Sequence, residues 1–391
     1  MKIVIATPIL LDKTSPFNHL FKDILEGFLN AGYEIVRIVA VENETDDGYT
    51  LGIHSDRISY IKVHRKRMEK ANIIKRYVAD TLANIKMARL VKRVKADLLF
   101  EDVSYSSFWS VRAAKKCEMK IVSMLQDVWP DNAVRSGLIG DGSLIYRYFE
   151  MWQRSVYKKS ERLICISDDM KEYVASKGIP EEKIDVIYNW GYSDERVDIP
   201  WNENEFVKKY GLSNDKFYAA YAGNIGRMQN VELVVGAAEL LKDRDDIEFL
   251  IIGDGVKREA IEELVVEKQL NNVTMLPMQS SELATSIYSA AGVNIIPLVP
   301  GGVKTALPSK TGVVLSCGRP VIFAFGNDCA LANTVGQYKA GSCVDAEKPE
   351  ELAKAIIEWK QKECGKNTGA YSLFEDRFIR TKNVRKYVRS L

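Results

Sequence analysis

Short apolar runs alternate with longer amphipathic stretches along the whole chain. In the first half, buried-strand patterns fall at Ile3–Ala6, Glu34–Val41, Ile58–Val63, Asp97–Phe100, Lys120–Gln126, Arg162–Ile166 and Ile184–Tyr188. Apolar residues occupy both faces of these runs, which predicts parallel strands covered by helices on either side. Helical patterns lie between them at Phe17–Asn30, Ala71–Val94, Tyr105–Lys116, Leu144–Lys159 and Asp168–Ser176. This rhythm predicts a doubly wound α/β domain.

The pattern lapses from Trp190 to Asn214, where Gly, Ser, Asp, Asn and Pro surround one short helical patch. That stretch reads as an interdomain connector. The alternation then restarts, with strands expected at Phe217–Ala222, Glu248–Ile252, Val273–Leu276, Val293–Pro297, Val321–Ala324 and Gly341–Val344. Helices are expected at Val231–Lys242, Arg258–Lys268, Glu282–Ala290, Thr311–Ser316 and Glu350–Glu363. Two Rossmann-like halves are thus expected to face across a cleft, with ligands at the carboxyl edges of their sheets. No internal repeat or low-complexity tract is evident.

Composition narrows the class. The chain has 391 residues, 46% hydrophobic and 28% charged, which is globular and large enough for more than one core. No apolar run approaches the ~18 residues of a spanning helix. The opening from Met1 to Leu11 resembles a signal peptide only faintly: Pro8 interrupts it, Asp12 and Lys13 follow, and no small-residue cleavage site appears. It reads as a first buried strand. Six cysteines (117, 165, 317, 329, 343, 364) form no CxxC pair, and three histidines add no metal-binding spacing. A reduced, cytoplasmic, metal-free protein is expected.

The net charge of +2 conceals an uneven distribution, with twelve Lys/Arg between Lys62 and Lys95 against only Glu69 and Asp80. Six more basic residues fall between Arg377 and Arg389. Such blocks call for an anionic partner. Within the first block Ile73, Ile74, Tyr77, Val78, Leu82, Ile85 and Leu90 recur at helical spacing, so this stripe either packs on the sheet or meets a membrane. No aromatic stacking pattern accompanies the charge, so nucleic acid is not an expected partner.

Candidate chemistry begins in Tyr221-Ala-Gly-Asn-Ile-Gly-Arg-Met-Gln-Asn230. Gly223 and Gly226 permit close backbone approach, a helix starting near Asn230 offers unpaired N–H groups, and Arg227 adds a planar cation suited to phosphate oxygens. A plain glycine turn with a surface arginine remains the alternative. A second turn, Gly253-Asp-Gly255, ends the next strand and lacks the GxGxxG of dinucleotide binding. Further on, Pro308 and Ser309 read as a helix start, with Ser309 as N-cap. Lys310 there sits beside the positive end of a helix dipole, which suggests that a bound anion holds both. A solvated lysine is the alternative.

These residues carry a resemblance. Gly223-Asn-Ile-Gly-Arg227, Gly253-Asp-Gly255, Leu276-Pro-Met-Gln279 and Leu307-Pro-Ser-Lys310 through Gly318-Arg-Pro320 are similar to the donor-binding domain of family 4 glycosyltransferases, which have the GT-B fold. In the first half Leu125-Gln-Asp-Val-Trp-Pro130, Leu163-Ile-Cys-Ile-Ser-Asp168 and Lys183–Trp190 also match. The nearest group is bacterial transferases of surface polysaccharide, O-antigen or capsule. The resemblance implies an acceptor-binding domain over 1–200, a nucleotide-sugar domain over 201–370, and a last segment, 371–391, whose helix at about Phe374–Ser390 crosses back to the first domain.

The resemblance also implies roles. Arg227 and Lys310 would contact the donor diphosphate, with Gly223, Asn224, Gly226, Gly253, Gly255, Ser309 and Thr311 around it and Pro277 and Met278 near the base. Pro8, His19 and Trp129 would face the acceptor, and Asp127 would orient or deprotonate its hydroxyl. Asp127 reads equally as a turn residue before Trp129-Pro130, and His19 as a structural histidine. The implied partners are a nucleotide-sugar (a UDP-sugar is expected), a saccharide or undecaprenyl-diphosphate-linked acceptor, and an anionic inner-leaflet surface reached through 62–95. The nucleotide-sugar is a substrate, so no cofactor is expected, and transfer with retention is implied.

The chain also departs from the family. Two glutamates common in relatives align with Thr305 and Val313, and Gln229 and Asn230 stand where a lysine often follows the loop arginine. A non-catalytic sugar-nucleotide-binding partner of an active transferase therefore stays open. A GT-B epimerase would want more histidines and carboxylates than the chain offers.

Overall fold

The computed structural model describes residues 1–7, 17–42, 48–66, 73–362 and 366–391, and the side chains of all of these except 17, 73, 74 and 76. Pro8, Cys364 and part of the basic block, including Glu69, lie outside the described residues.

Two compact units share the chain. The first comprises residues 1–134, 139–188 and 381–391, and the second 135–138 and 189–380. The first unit's sheet contains β1 (Lys2–Thr7), β2 (Glu34–Val41), β3 (Ile58–His64), β4 (Leu98–Asp102), β5 (Lys120–Leu125), β6 (Arg162–Cys165) and β7 (Ile184–Val186). They run parallel in the order β3-β2-β1-β4-β5-β6-β7. The second unit holds β8 (Phe217–Ala222), β9 (Ile247–Ile252), β10 (Val273–Leu276), β11 (Val293–Pro297), β12 (Val321–Ala324) and β13 (Gly341–Val344). These are also parallel, in the order β10-β9-β8-β11-β12-β13. Each strand lies where the apolar runs put it, because a parallel strand buried on both faces must be apolar throughout. Both sheets reverse direction of growth once, between β1 and β4 and between β8 and β11. The carboxyl ends of strands at such reversals diverge and leave a crevice.

Three expectations change. The Ile73–Val94 helix packs on the first sheet through Ala83, Met87, Ala88 and Val91, not through the larger apolar residues at helical spacing. Small side chains let its axis approach, and Val78 and Leu82 are left exposed. Ile73 and Ile74 have no described side chains. The terminal helix is two helices, Thr368–Arg377 and Arg380–Arg389, broken where Phe378 and Ile379 are buried. A further helix, Ala330–Tyr338, was not expected.

The last helix completes the first unit. Tyr387 is fully buried with its ring 6.2 Å from Phe100, and the Asn383 amide donates to the Tyr188 carbonyl at 2.9 Å. Gly27, on the Phe17–Asn30 helix, lies directly under Val384: a β-carbon there would overlap the Val384 methyl. Among the described residues no helix is long and apolar enough to cross a membrane, and no cluster of three or more His, Cys, Asp or Glu is placed to hold a metal ion.

The contact at Gly27 gives a first prediction. Gly27→Val overpacks the seam between these two helices and is expected to destabilise the protein by about 1–3 kcal/mol, read as a lower denaturation midpoint. Val384→Ala in the same chain should recover part of that loss.

Candidate active site

In the second unit the site grows from three neighbouring strand ends. After β8 the chain turns at Gly223, and after β9 it turns at Gly253 and Gly255. The Gly223 N–H donates to the Ile252 carbonyl at 2.9 Å, Ile225 N–H to Asp254 at 2.8 Å, and Lys257 N–H returns to Ile225 at 3.0 Å. Such backbone-to-backbone lacing requires glycine. A β-carbon on Gly253 would overlap the Gly223 carbonyl, and one on Gly255 would come within 2.6 Å of Asn224 Oδ1. The Arg258 guanidinium ties the second turn to the end of β10, donating to the carbonyls of Gly253 and, at 2.9 Å, Leu276.

Lys310 reaches this knot from the segment after β11. Its Nζ donates to the Ala222 carbonyl at 2.8 Å, sits 3.9 Å from the centre of the Tyr221 ring, and lies 3.3 Å from where a β-carbon on Gly223 would be. The ammonium is therefore held at the β8–β11 reversal, against the exposed backbone of the first glycine turn. No carboxylate pairs with it among the described residues. Loss of hydration pulls its pKa from 10.5 down to about 7. Among the described residues this partly buried cation has a carbonyl and a ring for company, and neither neutralises its charge.

The remaining donor candidates fall around this point. Arg227 is exposed on the same turn, and no hydrogen bond or ring contact joins it to Lys310. Asn224 is exposed and covers the buried Gly226, its amide donating to Gln229 Oε1 at 3.3 Å. The Val231–Leu240 helix follows without a side-chain cap, because Asn230 adopts the left-handed conformation and spends its amide on the Ala346 carbonyl. Its first N–H groups stay available to an anion. Pro277 and Met278 are exposed on the loop after β10.

Two expectations about the lysine segment are corrected. Ser309 is not an N-cap: the helix Thr311–Ser316 begins after Lys310, with no side-chain cap, and the Thr311 hydroxyl donates back to Pro308 at 2.7 Å. That helix has six residues, too short for its dipole to explain the lysine. The long side chain reaching Ala222 explains it instead. The missing glutamates also gain a physical account. Thr305 is fully buried with its hydroxyl bound to Gly302 at 3.1 Å, and Val313 is buried in the short helix. Both positions serve the core here.

In the first unit, Asp127 lies just beyond β5, and the structure places Asp102 at the end of adjacent β4. Burial, with the charge of Asp127 adding to it, raises Asp102 to about 7. Asp127 keeps an open edge to solvent, yet crowding around its carboxyl lifts it to about 6 against a hydrogen bond from Asn132 that lowers it. Two acids near neutrality at neighbouring strand ends can accept or hold a proton at working pH. Sequence reasoning missed Asp102 and the wholly buried Glu101 beside it, although an apolar run ending in two acids was a signal that could have been used. Trp129 packs 5.7 Å from Tyr105 and 5.4 Å from Phe149, while His19 is partly buried on the first helix. Pro8 lies outside the described residues. Tyr221, whose ring carries Lys310, was also missed; its place as the penultimate residue of β8 did not mark it.

Two doubly wound parallel units, one of them with an anion-ready turn at its reversal point, are the layout of the GT-B glycosyltransferases. Residues 19–190 match the model Glycosyltransferase Family 4, and residues 202–372 match Glycosyl transferases group 1. The chain belongs to this family. It is 24% identical over 242 residues to the probable glycosyltransferase WbjE of Pseudomonas aeruginosa, covering 61% of this chain and 59% of that one. It is 25% identical over 253 residues to the putative colanic acid biosynthesis glycosyl transferase WcaI of Escherichia coli K12, covering 62% and 60%. The alignments thus span about three-fifths of these relatives. In fold it is similar to Anabaena Alr3699/HepE, solved in complex with UDP and glucose, with a TM-score of 0.73 at 15% identity over 100% of this chain and 99% of that one.

The lysine generates a stability prediction. It gives up its proton at about 7 in the fold and at 10.5 when solvated, so between those values the unfolded chain binds more protons. Its contribution therefore becomes less destabilising as pH rises through that window. Lys310→Met should unfold at a higher temperature than wild type below about pH 7, and the gap should close as pH approaches 10. A gap independent of pH would show that the ammonium is not desolvated.

Proposed function

We propose that this chain transfers a hexosyl group from a nucleotide-sugar, a UDP-sugar in the reading favoured here, to a saccharide or undecaprenyl-diphosphate-linked acceptor in cell-surface polysaccharide synthesis. The reaction needs no metal in this reading. The anomeric carbon–oxygen bond to the diphosphate breaks, with its electron pair leaving on the nucleoside diphosphate. A bond forms from the acceptor oxygen to the same carbon, with retention of configuration, and the hydroxyl proton passes to a carboxylate or to the departing phosphate.

The observation that carries this reading is Lys310 Nζ held beside Gly223 without a counter-ion at the end of β8. Charge grows on the diphosphate as the bond breaks, and fixed cations and N–H groups placed there stabilise the transition state more than the ground state. Arg227 supplies the second cation from the same turn. Asp127, with Asp102 behind it, is the group proposed to orient or deprotonate the acceptor hydroxyl. The name of WcaI, a putative colanic acid biosynthesis glycosyl transferase, supports a polysaccharide role, and the UDP of the HepE complex supports the uridine nucleotide. The basic 62–95 block fits an enzyme working in the cytoplasm on the inner face of the plasma membrane.

Burial of Thr305 and Val313, where relatives carry glutamates, favours a second reading: a sugar-nucleotide-binding partner without catalysis. Activity separates the two. The purified chain should gain thermal stability from one class among UDP-, GDP-, dTDP- and CMP-sugars, and should hydrolyse or transfer that sugar. Lys310→Ala and Arg227→Ala should each lower kcat by about 10²–10³-fold. Turnover at the wild-type rate in both variants would remove the proposed roles, and binding without turnover would favour the partner reading.

A further inference from the structure

The Leu144–Lys159 helix of the first unit buries Gln153, Val156 and Tyr157. The Gln153 amide donates to the Ser104 carbonyl at 3.0 Å, and the Tyr146 hydroxyl donates to Asp131 at 3.1 Å. Several of its large apolar side chains nonetheless point out. Leu144 is 83% exposed, Ile145 56% and Met151 60%, with Tyr148 beside them. Residues 144, 148 and 151 recur at the spacing of one helical face. A free surface helix would carry polar residues there.

The Ile73–Val94 helix touches this one. The Tyr77 hydroxyl lies 3.4 Å from that of Tyr148, and the Tyr77 ring is 5.1 Å from Phe149. Val78 and Leu82 are half-exposed on the same helix. Phe149 of the first helix and Tyr77 of the second also pack on Trp129 and Tyr105 respectively, whose rings lie 5.7 Å apart.

Charge identifies what covers this face. Arg147, Arg154 and Lys158 are exposed along the first helix, and Lys86, Arg89 and Lys92 along the second. A shallow groove lined by Arg147, Glu150, Met151, Arg154, Ser155, Lys158 and Lys159 carries four cations against one acid, a balance that suits a phosphate headgroup. The acid within that helix, Glu150, is turned toward Lys177 at 3.7 Å. Protruding aliphatic and aromatic side chains ringed by cations match the boundary between headgroups and acyl chains of an anionic bilayer.

We propose that the exposed apolar face of the Leu144–Lys159 helix seats the first unit in the interfacial layer of an anionic membrane. This rests on the reading of a membrane-held acceptor but adds to it: the basic block accounts for attraction, whereas the exposed apolar face calls for insertion. The test is flotation of the full-length chain with mixed phosphatidylethanolamine–phosphatidylglycerol vesicles, at low and high salt. The wild type should bind and retain a salt-resistant fraction. Leu144→Ser/Ile145→Ser/Met151→Ser should lose that fraction and weaken binding by about tenfold or more. Its thermal midpoint and its shift with a nucleotide-sugar should be unchanged, since these side chains are already in water. Binding that vanishes entirely at high salt in the wild type, or persists undiminished in the triple variant, would overturn the proposal. A wild-type dimer that the triple variant breaks, with vesicle binding unaltered, would assign the face to a second copy instead. A missing nucleotide-sugar shift in both proteins would count against the donor reading alone.

Discussion

An ammonium with no carboxylate paired to it among the described residues organises the second unit. Lys310 reaches the β8–β11 reversal and rests on the Ala222 carbonyl and the Tyr221 ring. Neither neighbour supplies the hydration it has lost, so its charge is penalised. The backbone beside the lysine is bare: Gly223, Gly253 and Gly255 bring two turns within hydrogen-bonding distance of each other, and side chains there would push them apart. Arg258, bound to carbonyls of two adjacent strand ends, keeps the assembly from opening.

The first unit solves a different problem on the same sheet topology. It brings Asp102 and Asp127 to adjacent strand ends, where loss of hydration raises both and the charge of Asp127 also raises Asp102. One sheet thus presents a desolvated cation and the other a pair of raised acids. The common origin is the parallel sheet, which directs every strand's carboxyl end to one edge and leaves room at the reversal. Outside that edge the first unit exposes an apolar helix face that its own core does not use, and the basic residues around it give that face a chemical direction.

Much of the fold was legible because a parallel sheet writes itself into the sequence. Thirteen apolar runs became thirteen strands, since residues buried on both faces admit few polar exceptions. Arg37, inside β2, is such an exception: its Nη1 donates to the Tyr49 carbonyl at 2.6 Å and its guanidinium lies over the Phe21 ring. Helix faces were less legible. The Ile73–Val94 helix buries Ala83 and Ala88 and exposes Leu82, so residue size predicted the wrong face. Close axial approach rewarded small side chains, and that demand comes from the sheet beneath.

The chain's own order of residues determined two α/β halves, a glycine-rich turn with an arginine, a lysine further along and a basic block, because apolar period and glycine position are local properties. Only the folded protein decided that Lys310 touches the first turn 88 residues away, that Ser309 caps nothing, that Asp102 stands beside Asp127, and that Leu144 faces outward. Each depends on which strand ends become neighbours and which face of a helix meets the sheet. Burial, and with it the cost of charge or of exposed hydrocarbon, is a property of such neighbours, not of any residue by itself.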